Sequence, residues 1–169
     1  MACALFVGRF QPLHLGHVKA IRYILKREDR VILGVGSSQY SNTRENPFTA
    51  AERRKMVERV FADSLDRITV VFIPDVHDDS RWVAHVSSLA KGFDVVYTSS
   101  EHERRLFDDA GFKVFLTPFF DRGVYSATKV REQMAEGGSW RSLLPKGSVE
   151  VIEEVGGVER VRKLNQASA

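Results

Sequence analysis

Short apolar runs alternate along the chain with segments in which apolar residues recur every three or four positions. The apolar runs are typical of strands that are buried on both faces, because they are continuously apolar rather than alternating. They are ALFVG (4–8), RVILGVG (30–36), RITVVFIP (67–74), DVVYT (94–98) and FKVFLTP (112–118). The pattern therefore predicts five strands in a sheet that is covered on both sides.

The segments between these strands predict amphipathic helices over 15–28, 49–62, 80–91, 100–111 and 126–136. Thr49 followed by Glu52 forms a capping-box signature, and Ser126 is expected to cap the last of these helices. Beyond about residue 140 we expect a helical tail with short pieces near 140–144 and 148–155. The polar residues after about 160 are expected to fray.

This alternation of strands and helices predicts an α/β fold. We expect a doubly wound, Rossmann-like parallel sheet of five to six strands with helices on both faces, formed by residues 1–169 as a single domain. Ligands of such sheets bind beyond the carboxyl ends of the strands. The loops that follow strands are therefore the places to look for function.

Composition narrows the class of protein. Hydrophobic residues make up 43% of the 169 positions and charged residues 28%, which is ordinary for a globular protein. No apolar run approaches the roughly 18 residues of a membrane span, and we expect neither a secretory signal nor a membrane partner. A single cysteine, Cys3, excludes an internal disulfide and favours the cytoplasm. The net charge of +3 comes from basic residues mixed with acids, so nucleic acid is not an expected partner.

The stretch GRFQPLHLGH (8–17) carries the first candidate chemistry. His14 and His17 fall at the start of the first helix, where unpaired backbone N–H groups favour anions. Imidazoles there can donate hydrogen bonds to phosphate, and Gly8 and Gly16 would let the backbone approach a ligand closely. The alternative is a pair of histidines that only cap or pack the helix start. Neither a Walker loop nor a G-x-G-x-x-G turn occurs.

The stretch YSATKVR (125–131) carries the second candidate site. Ser126, Thr128 and the first-turn N–H groups would form another anion cradle, and Arg131 lies one turn further on the same side. The alternative is a capped surface helix with an incidental arginine.

These two stretches resemble the H-x-G-H and S-x-T-x-x-R signatures of the nucleotidyltransferase superfamily. Together with GSSQYSNTRENPFTAAER (36–53) and WVAHV (82–86), they are similar to the archaeal-type nicotinamide mononucleotide (NMN) adenylyltransferases over roughly residues 4–135. The resemblance implies a nucleotidyltransferase domain that transfers the adenylyl group of ATP to NMN, giving NAD+ and pyrophosphate.

The resemblance also implies roles for individual residues. Catalysis would fall to His14, His17 and Arg131. The implied ATP-binding residues are Gly8, Arg9, Phe10, His14, Gly16, His17, Ser126, Thr128 and Arg131.

On the NMN side, Trp82 would stack on the nicotinamide, because a cationic pyridinium suits the electron-rich face of indole. The other expected NMN contacts are Ser37, Phe120 and Tyr125. Packing alone is the alternative for the three aromatic side chains. Asp78 and Asp79 are expected to cap the helix before Trp82, and the loop 98–102 to meet the adenine.

Several points stay open on the sequence alone. Mg²⁺ is expected to be held mainly by ATP phosphates and water, without a protein ligand. The resemblance suggests a homohexamer. Arg53 would either reach phosphate or be a solvated helix charge. The acceptor could instead be phosphopantetheine or FMN, a cytidylyl group could be transferred instead, or the chain could be a nucleotide-binding module without catalysis.

Overall fold

Five parallel strands form the central sheet of the structure, a computed structural model that describes residues 1–118 and 123–167. The strands of this described part are β1 (Cys3–Gly8), β2 (Arg30–Gly36), β3 (Ile68–Ile73), β4 (Val95–Thr98) and β5 (Lys113–Leu116). Their order across the sheet is β3-β2-β1-β4-β5, and every neighbouring pair is parallel. The predicted doubly wound parallel sheet is confirmed.

Helices connect the strands and continue beyond the last one. They are α1 (Leu15–Leu25), α2 (Ala50–Val60), α3 (Asp79–Leu89), α4 (Glu101–Asp109), α5 (Ala127–Glu136), α6 (Lys146–Glu154) and α7 (Gly157–Ala167). Short 3-10 turns lie at Leu65–Arg67 and Trp140–Leu143. Within the described residues, none of these helices has the length and apolar character that crossing a membrane requires.

Successive side chains of each central strand point to opposite faces of the sheet and enter two separate cores. In β1, Ala4 and Phe6 pack into the core beneath α1, α2 and α5–α7, whereas Leu5 packs into the core beneath α3 and α4. The sheet is therefore covered on both faces, as its continuously apolar strands predicted. The strand order reverses between β1 and β4, and this reversal places a crevice at the carboxyl ends of those two strands.

The end of the chain differs from the sequence-based expectation. Instead of fraying after about residue 160, the chain continues as α7, in which Val161 is buried. Arg160 donates to both carboxylate oxygens of Glu52 at 2.7 and 2.9 Å and to the main-chain oxygen of Pro47 at 3.1 Å. The prediction was wrong because tertiary contacts, rather than local propensity, stabilise a short polar helix.

Candidate active site

Two clefts open near the carboxyl edge of the sheet, and Arg9 lines both. The larger, of about 560 Å³, we call the histidine cleft; its wall includes His14, His17, Ser126 and Arg131. The smaller, of about 330 Å³, we call the tryptophan cleft; its wall includes Trp82. The fold thus brings the two sequence motifs together in one cleft, although more than 100 residues separate them.

His14 and His17 form a reciprocal cap at the start of α1. The Nδ1 atom of His14 accepts the backbone N–H groups of Gly16 at 3.1 Å and of His17 at 3.4 Å. In return, Nδ1 of His17 accepts the backbone N–H of His14 at 3.1 Å. An imidazole that accepts at Nδ1 carries its proton on Nε2 when neutral. Both rings therefore retain an Nε2–H donor for a ligand, so the histidines cap the helix and also line the cleft.

The environment keeps both imidazoles neutral. Their rings stack with centroids 3.7 Å apart at an angle of 22°. Burial lowers the pKa of His14 to about 4. Burial, followed by the neighbouring His14, lowers the pKa of His17 well below its ordinary value. The pair can thus donate hydrogen bonds to an anion without being imidazolium ions.

The two glycines of the first motif make room for rings of the protein itself. A Cβ at Gly16 would lie 2.9 Å from Cε1 of His14 and 3.1 Å from Cβ of Tyr125. A Cβ at Gly8 would lie 2.9 Å from the ring of Phe10, which packs edge-on against His17. Gly8 itself lines the tryptophan cleft. The sequence predicted that Gly8 and Gly16 leave space for a ligand, but it did not predict that the side chains of His14, Tyr125 and Phe10 lie against them.

The second motif is assembled at the start of α5. Ser126 caps the helix by accepting the backbone N–H of Lys129 at 3.1 Å, as predicted. Arg131 lies beside Thr128, with Nη2 3.5 Å from Oγ1. Its Nη1 donates at 2.8 Å to the main-chain oxygen of Gln11, in the loop after β1. This bond ties the two motifs across the histidine cleft.

Guanidinium groups give this region a positive potential. The pKa of Arg131 is lowered by burial and then by the nearby charge of Arg9, with Glu45 acting in the opposite direction. Burial lowers the pKa of Arg53 to about 10, and the charge of Arg9 contributes to the same shift. Since these like charges repel one another, a bound anion would relieve the repulsion.

Arg53 has a role that neither sequence alternative anticipated. Its side chain is fully buried, so it is not a solvated helix charge. It donates to five main-chain oxygens, and its donors are thus taken up within the protein rather than aimed at a phosphate. The acceptors are Arg9, Gly36, Ser37, Tyr40 and Thr49. Arg53 thereby joins the loops that follow β1 and β2.

The tryptophan cleft groups only some of the residues expected to meet NMN. Trp82 on α3 and Ser37 after β2 both line it. Tyr125 lies instead in the histidine cleft, and Phe120 falls outside the described residues. Ser37, with φ of 46°, adopts the left-handed conformation, which is uncommon for a residue with a side chain and is often found at functional sites.

Acidic and hydroxyl side chains surround Trp82, and the sequence predicted only some of their roles. Asp78 caps α3 by accepting the N–H of Ser80 at 3.0 Å, as expected, whereas Asp79 pairs with His102 at 3.0 Å. The loop after β4 contributes to both clefts, since Ser99 lines the histidine cleft and Ser100 lines the tryptophan cleft. Glu103 also lines the tryptophan cleft and has no motif that could have identified it.

The described residues offer no cage for a metal ion. Across residues 1–118 and 123–167, no three histidine, cysteine, aspartate or glutamate side chains form a group suited to binding one. The donors of the histidine cleft are N–H groups and guanidiniums, which suit phosphate oxygens rather than a cation.

Comparisons with known proteins show the family to which this chain belongs. Residues 5–133 match the family model described as cytidylyltransferase-like. The nicotinamide-nucleotide adenylyltransferase of Thermoplasma volcanium is 44% identical over 163 residues, which cover 96% of this chain and 92% of the relative. That of Archaeoglobus fulgidus is 41% identical over 169 residues, covering 96% and 97%.

Among solved structures, the fold resembles a bifunctional NMN adenylyltransferase/ADP ribose pyrophosphatase from Francisella tularensis, complexed with AMP and a manganese ion, with a TM-score of 0.79. The match covers 98% of this chain but 53% of that one, so this chain spans about half its length. At 19% identity this likeness concerns the fold alone. The family match and the curated relatives show that the chain belongs to the cytidylyltransferase-like family and, within it, to the nicotinamide-nucleotide adenylyltransferases.

Proposed function

We propose that this protein transfers the adenylyl group of ATP to NMN, giving NAD+ and pyrophosphate. The observation that carries the proposal is the histidine cleft, where two neutral, mutually capped histidines lie in the same cleft wall as Arg131. The adjoining tryptophan cleft offers an aromatic face for a second, cationic substrate. Arg9 lines both clefts, where the two substrates' phosphates would meet.

The reaction is a direct in-line displacement. An oxygen of the NMN 5′-phosphate attacks the α-phosphorus of ATP, and the bond from that phosphorus to the bridging oxygen breaks, so that pyrophosphate leaves. The attacking phosphate is already an anion and requires no general base. The protein contributes by aligning the reacting atoms and by directing donors at the charge that develops on the phosphate oxygens.

On the ATP side, the Nε2–H groups of His14 and His17 contact the phosphates, and His17 stabilises the transition state at the α-phosphorus. Arg131 holds the leaving pyrophosphate, and we assign these three side chains to catalysis. Residues that bind ATP in this proposal include Gly8, Arg9, Phe10, Gly16, Ser126 and Thr128. Support comes from their positions, since most of them line the histidine cleft, whereas Gly8 lines the tryptophan cleft.

On the NMN side, Trp82 stacks on the nicotinamide and Ser37 contacts the mononucleotide. Their common place in the tryptophan cleft supports both assignments. Tyr125 shares the histidine cleft with the ATP-binding residues, so any contact with NMN would occur where the two substrates meet. The proposed contact of Phe120 rests on the sequence resemblance.

Mg²⁺ is proposed as the metal, held by the ATP phosphates and water. The donor set described above is consistent with this arrangement, because Mg²⁺ commonly keeps several waters when phosphates bind it. The ion would shield phosphate charge. The cytoplasmic location and the homohexamer stay predictions, the first from the single cysteine and the second from the family resemblance.

An acceptor panel tests the proposed function. The protein is incubated with ATP, Mg²⁺ and one of NMN, phosphopantetheine or FMN, and the products are identified by mass. We expect NAD+ and pyrophosphate from NMN and little product from the others. Product from another acceptor alone would reassign the tryptophan cleft. The absence of product from all three over a range of temperatures would favour a binding module without catalysis.

A further inference from the structure

Ser148 on α6 is a fully buried polar side chain that the proposed reaction does not use. Its hydroxyl donates at 2.8 Å to the main-chain oxygen of Leu13, the residue that precedes His14. The two partners lie 135 positions apart, so no local pattern in the sequence relates them. A helix that follows both sequence motifs therefore contacts the first motif directly.

The oxygen that Ser148 holds belongs to the peptide group between Leu13 and His14. At the other end of this group, the N–H of His14 donates at 3.1 Å to Nδ1 of His17. Because a peptide group is planar, holding its oxygen also fixes the direction of its N–H. A hydrogen bond to the carbonyl also polarises the group, and this strengthens donation by the N–H. One rigid unit thus links the hydroxyl of Ser148 to the imidazole of His17.

The tautomer of His17 depends on this N–H. A neutral ring that accepts at Nδ1 carries its proton on Nε2, which is the donor that the proposed reaction requires. The other tautomer would carry the proton on Nδ1 and would face phosphate oxygens with a lone pair on Nε2. Control over the Leu13–His14 peptide group is therefore control over the donor that His17 presents.

Helix α6 is firmly attached to the rest of the fold. Val151 and Ile152 are fully buried in the core. At the end of the helix, Glu154 accepts from Arg59 at 2.9 Å and from Lys55 at 3.2 Å, and both donors lie on α2. Side chains hold a functional group most precisely when they project from such a rigid element.

Two other main-chain oxygens in the loop after β1 also accept side-chain donors. Nη1 of Arg53 lies 2.9 Å from the oxygen of Arg9, and Nη1 of Arg131 lies 2.8 Å from that of Gln11. Arg53 holds further main-chain oxygens, and Arg131 is assigned to catalysis, so a change at either would have mixed effects. Ser148 has neither of these roles, and its variants measure the effect of holding the loop by itself.

We propose that Ser148 is a positioning residue, which fixes His17 in the tautomer that carries its proton on Nε2. This inference rests on the proposed function, since it takes that N–H as the donor to the substrate. Ser148 acts through the Leu13–His14 peptide group rather than by contact with a substrate. The C-terminal helix α6 is thereby part of the catalytic unit.

The first experiment measures the kinetic constants of Ser148→Ala, which removes the donor. We expect kcat to fall about tenfold, because a small misplacement of a catalytic group is costly, while the KM values for ATP and NMN change less than about twofold. Ser142→Ala is the matched control, since the exposed hydroxyl of Ser142 donates at 2.8 Å to the main-chain oxygen of Ser139 in the same part of the chain. The control should leave all three constants unchanged. An unchanged kcat in Ser148→Ala, or an equal loss in Ser142→Ala, would overturn the proposal.

Two further variants separate hydrogen-bond donation from packing and from stability. Ser148→Cys keeps a weaker donor, so its kcat should lie between those of the unchanged protein and Ser148→Ala. A kcat below that of Ser148→Ala would show that packing sets the rate. Val161→Ala removes buried methyl groups on α7 and should destabilise the protein while kcat stays within about twofold. A tenfold loss of kcat in Val161→Ala would mean that general destabilisation explains Ser148→Ala. Either of these two results would overturn the proposal.

Nitrogen NMR of the histidine rings gives a readout that does not depend on turnover. The chain has five histidines, and the signals of His17 are identified by their loss in His17→Ala. The spectra are recorded under conditions in which urea unfolding shows each variant to be folded. We expect the Nε2-protonated tautomer in the unchanged protein and a mixture of tautomers for His17 in Ser148→Ala.

The two readouts together distinguish this inference from the proposed function. If the unchanged protein forms NAD+ but the signals of His17 are the same in Ser148→Ala, only this inference fails. If the unchanged protein forms no NAD+ while the tautomer of His17 still responds to Ser148→Ala, the proposed function fails and the hold of Ser148 on His17 stands.

Discussion

His14 and His17 each accept the backbone N–H of the other through Nδ1, while their rings stack 3.7 Å apart. The same hydrogen bonds thus cap the start of α1 and keep the proton of each neutral ring on Nε2. They require neutral imidazoles, because a protonated Nδ1 donates and can no longer accept a backbone N–H.

The stability of the protein should therefore depend on pH through His14. Its pKa is about 4 in the folded protein, against an ordinary value of 6.5. Between these values the unfolded chain binds more protons than the folded one, so the free energy of unfolding rises with pH. The contribution is fully present above about pH 6.5 and is lost as pH falls towards 4. It amounts to roughly 3 kcal/mol, and urea unfolding measured between pH 4 and 7.5 checks it.

His14→Asn is the control for this prediction. Asparagine is a good helix cap but does not titrate in this range. We expect the variant to unfold with a clearly smaller slope of free energy against pH over the same interval, the remainder coming from His17 and other groups. An identical slope in both proteins would show that His14 is not the titrating group.

His17→Ala should reduce turnover far more than stability. Removing one donor aimed at transition-state charge costs about 10² to 10³ in kcat, whereas losing a cap costs about 1 kcal/mol of unfolding free energy. Steady-state kinetics and urea unfolding measure the two effects. Thr49→Ala is the comparison, since it removes the cap of α2 away from both clefts. Thr49→Ala should lower the free energy of unfolding about as much as His17→Ala does, and should leave kcat nearly intact. If Thr49→Ala lowered kcat as much as His17→Ala does, a catalytic role for His17 would be rejected.

Arg53→Lys should be strongly destabilising although it keeps the charge. A lysine cannot reach five main-chain oxygens in the planar geometry of a guanidinium, and each buried carbonyl left without a partner costs about 1 to 3 kcal/mol. We expect a loss of about 3 kcal/mol in the free energy of unfolding by urea. Arg54 is the adjacent, exposed arginine. Arg54→Lys should change the free energy of unfolding by less than about 0.5 kcal/mol. If both variants changed the free energy of unfolding equally, the hydrogen bonds from Arg53 to main-chain oxygens would contribute little to stability.

Trp82→Ala should act on the acceptor alone. Loss of the aromatic face is expected to raise the KM for NMN by about tenfold and to leave the KM for ATP within about twofold, because we propose that ATP binds in the histidine cleft. Initial rates with each substrate varied in turn measure both constants. Trp140, the other tryptophan of the chain, is buried in the core. Trp140→Phe should change neither the KM for NMN nor the KM for ATP. An unchanged KM for NMN in Trp82→Ala would remove the proposed stacking.

The sequence by itself determined the order of elements, the parallel sheet covered on both faces, and the two motifs of the histidine cleft. These follow from local signals: continuous apolar runs, helical periodicity, and capping residues such as Ser126 that act within a few positions of themselves.

Only the tertiary structure decided how distant residues use one another. Arg53 looked like any polar residue on a helix, yet its five acceptors lie on loops that the fold brings around it. Likewise, Arg160 donates to Glu52, which lies 108 positions earlier in the chain. Such partners leave no local pattern in the sequence, because the hydrogen bonds that define their roles form between segments that become neighbours only when the sheet is assembled.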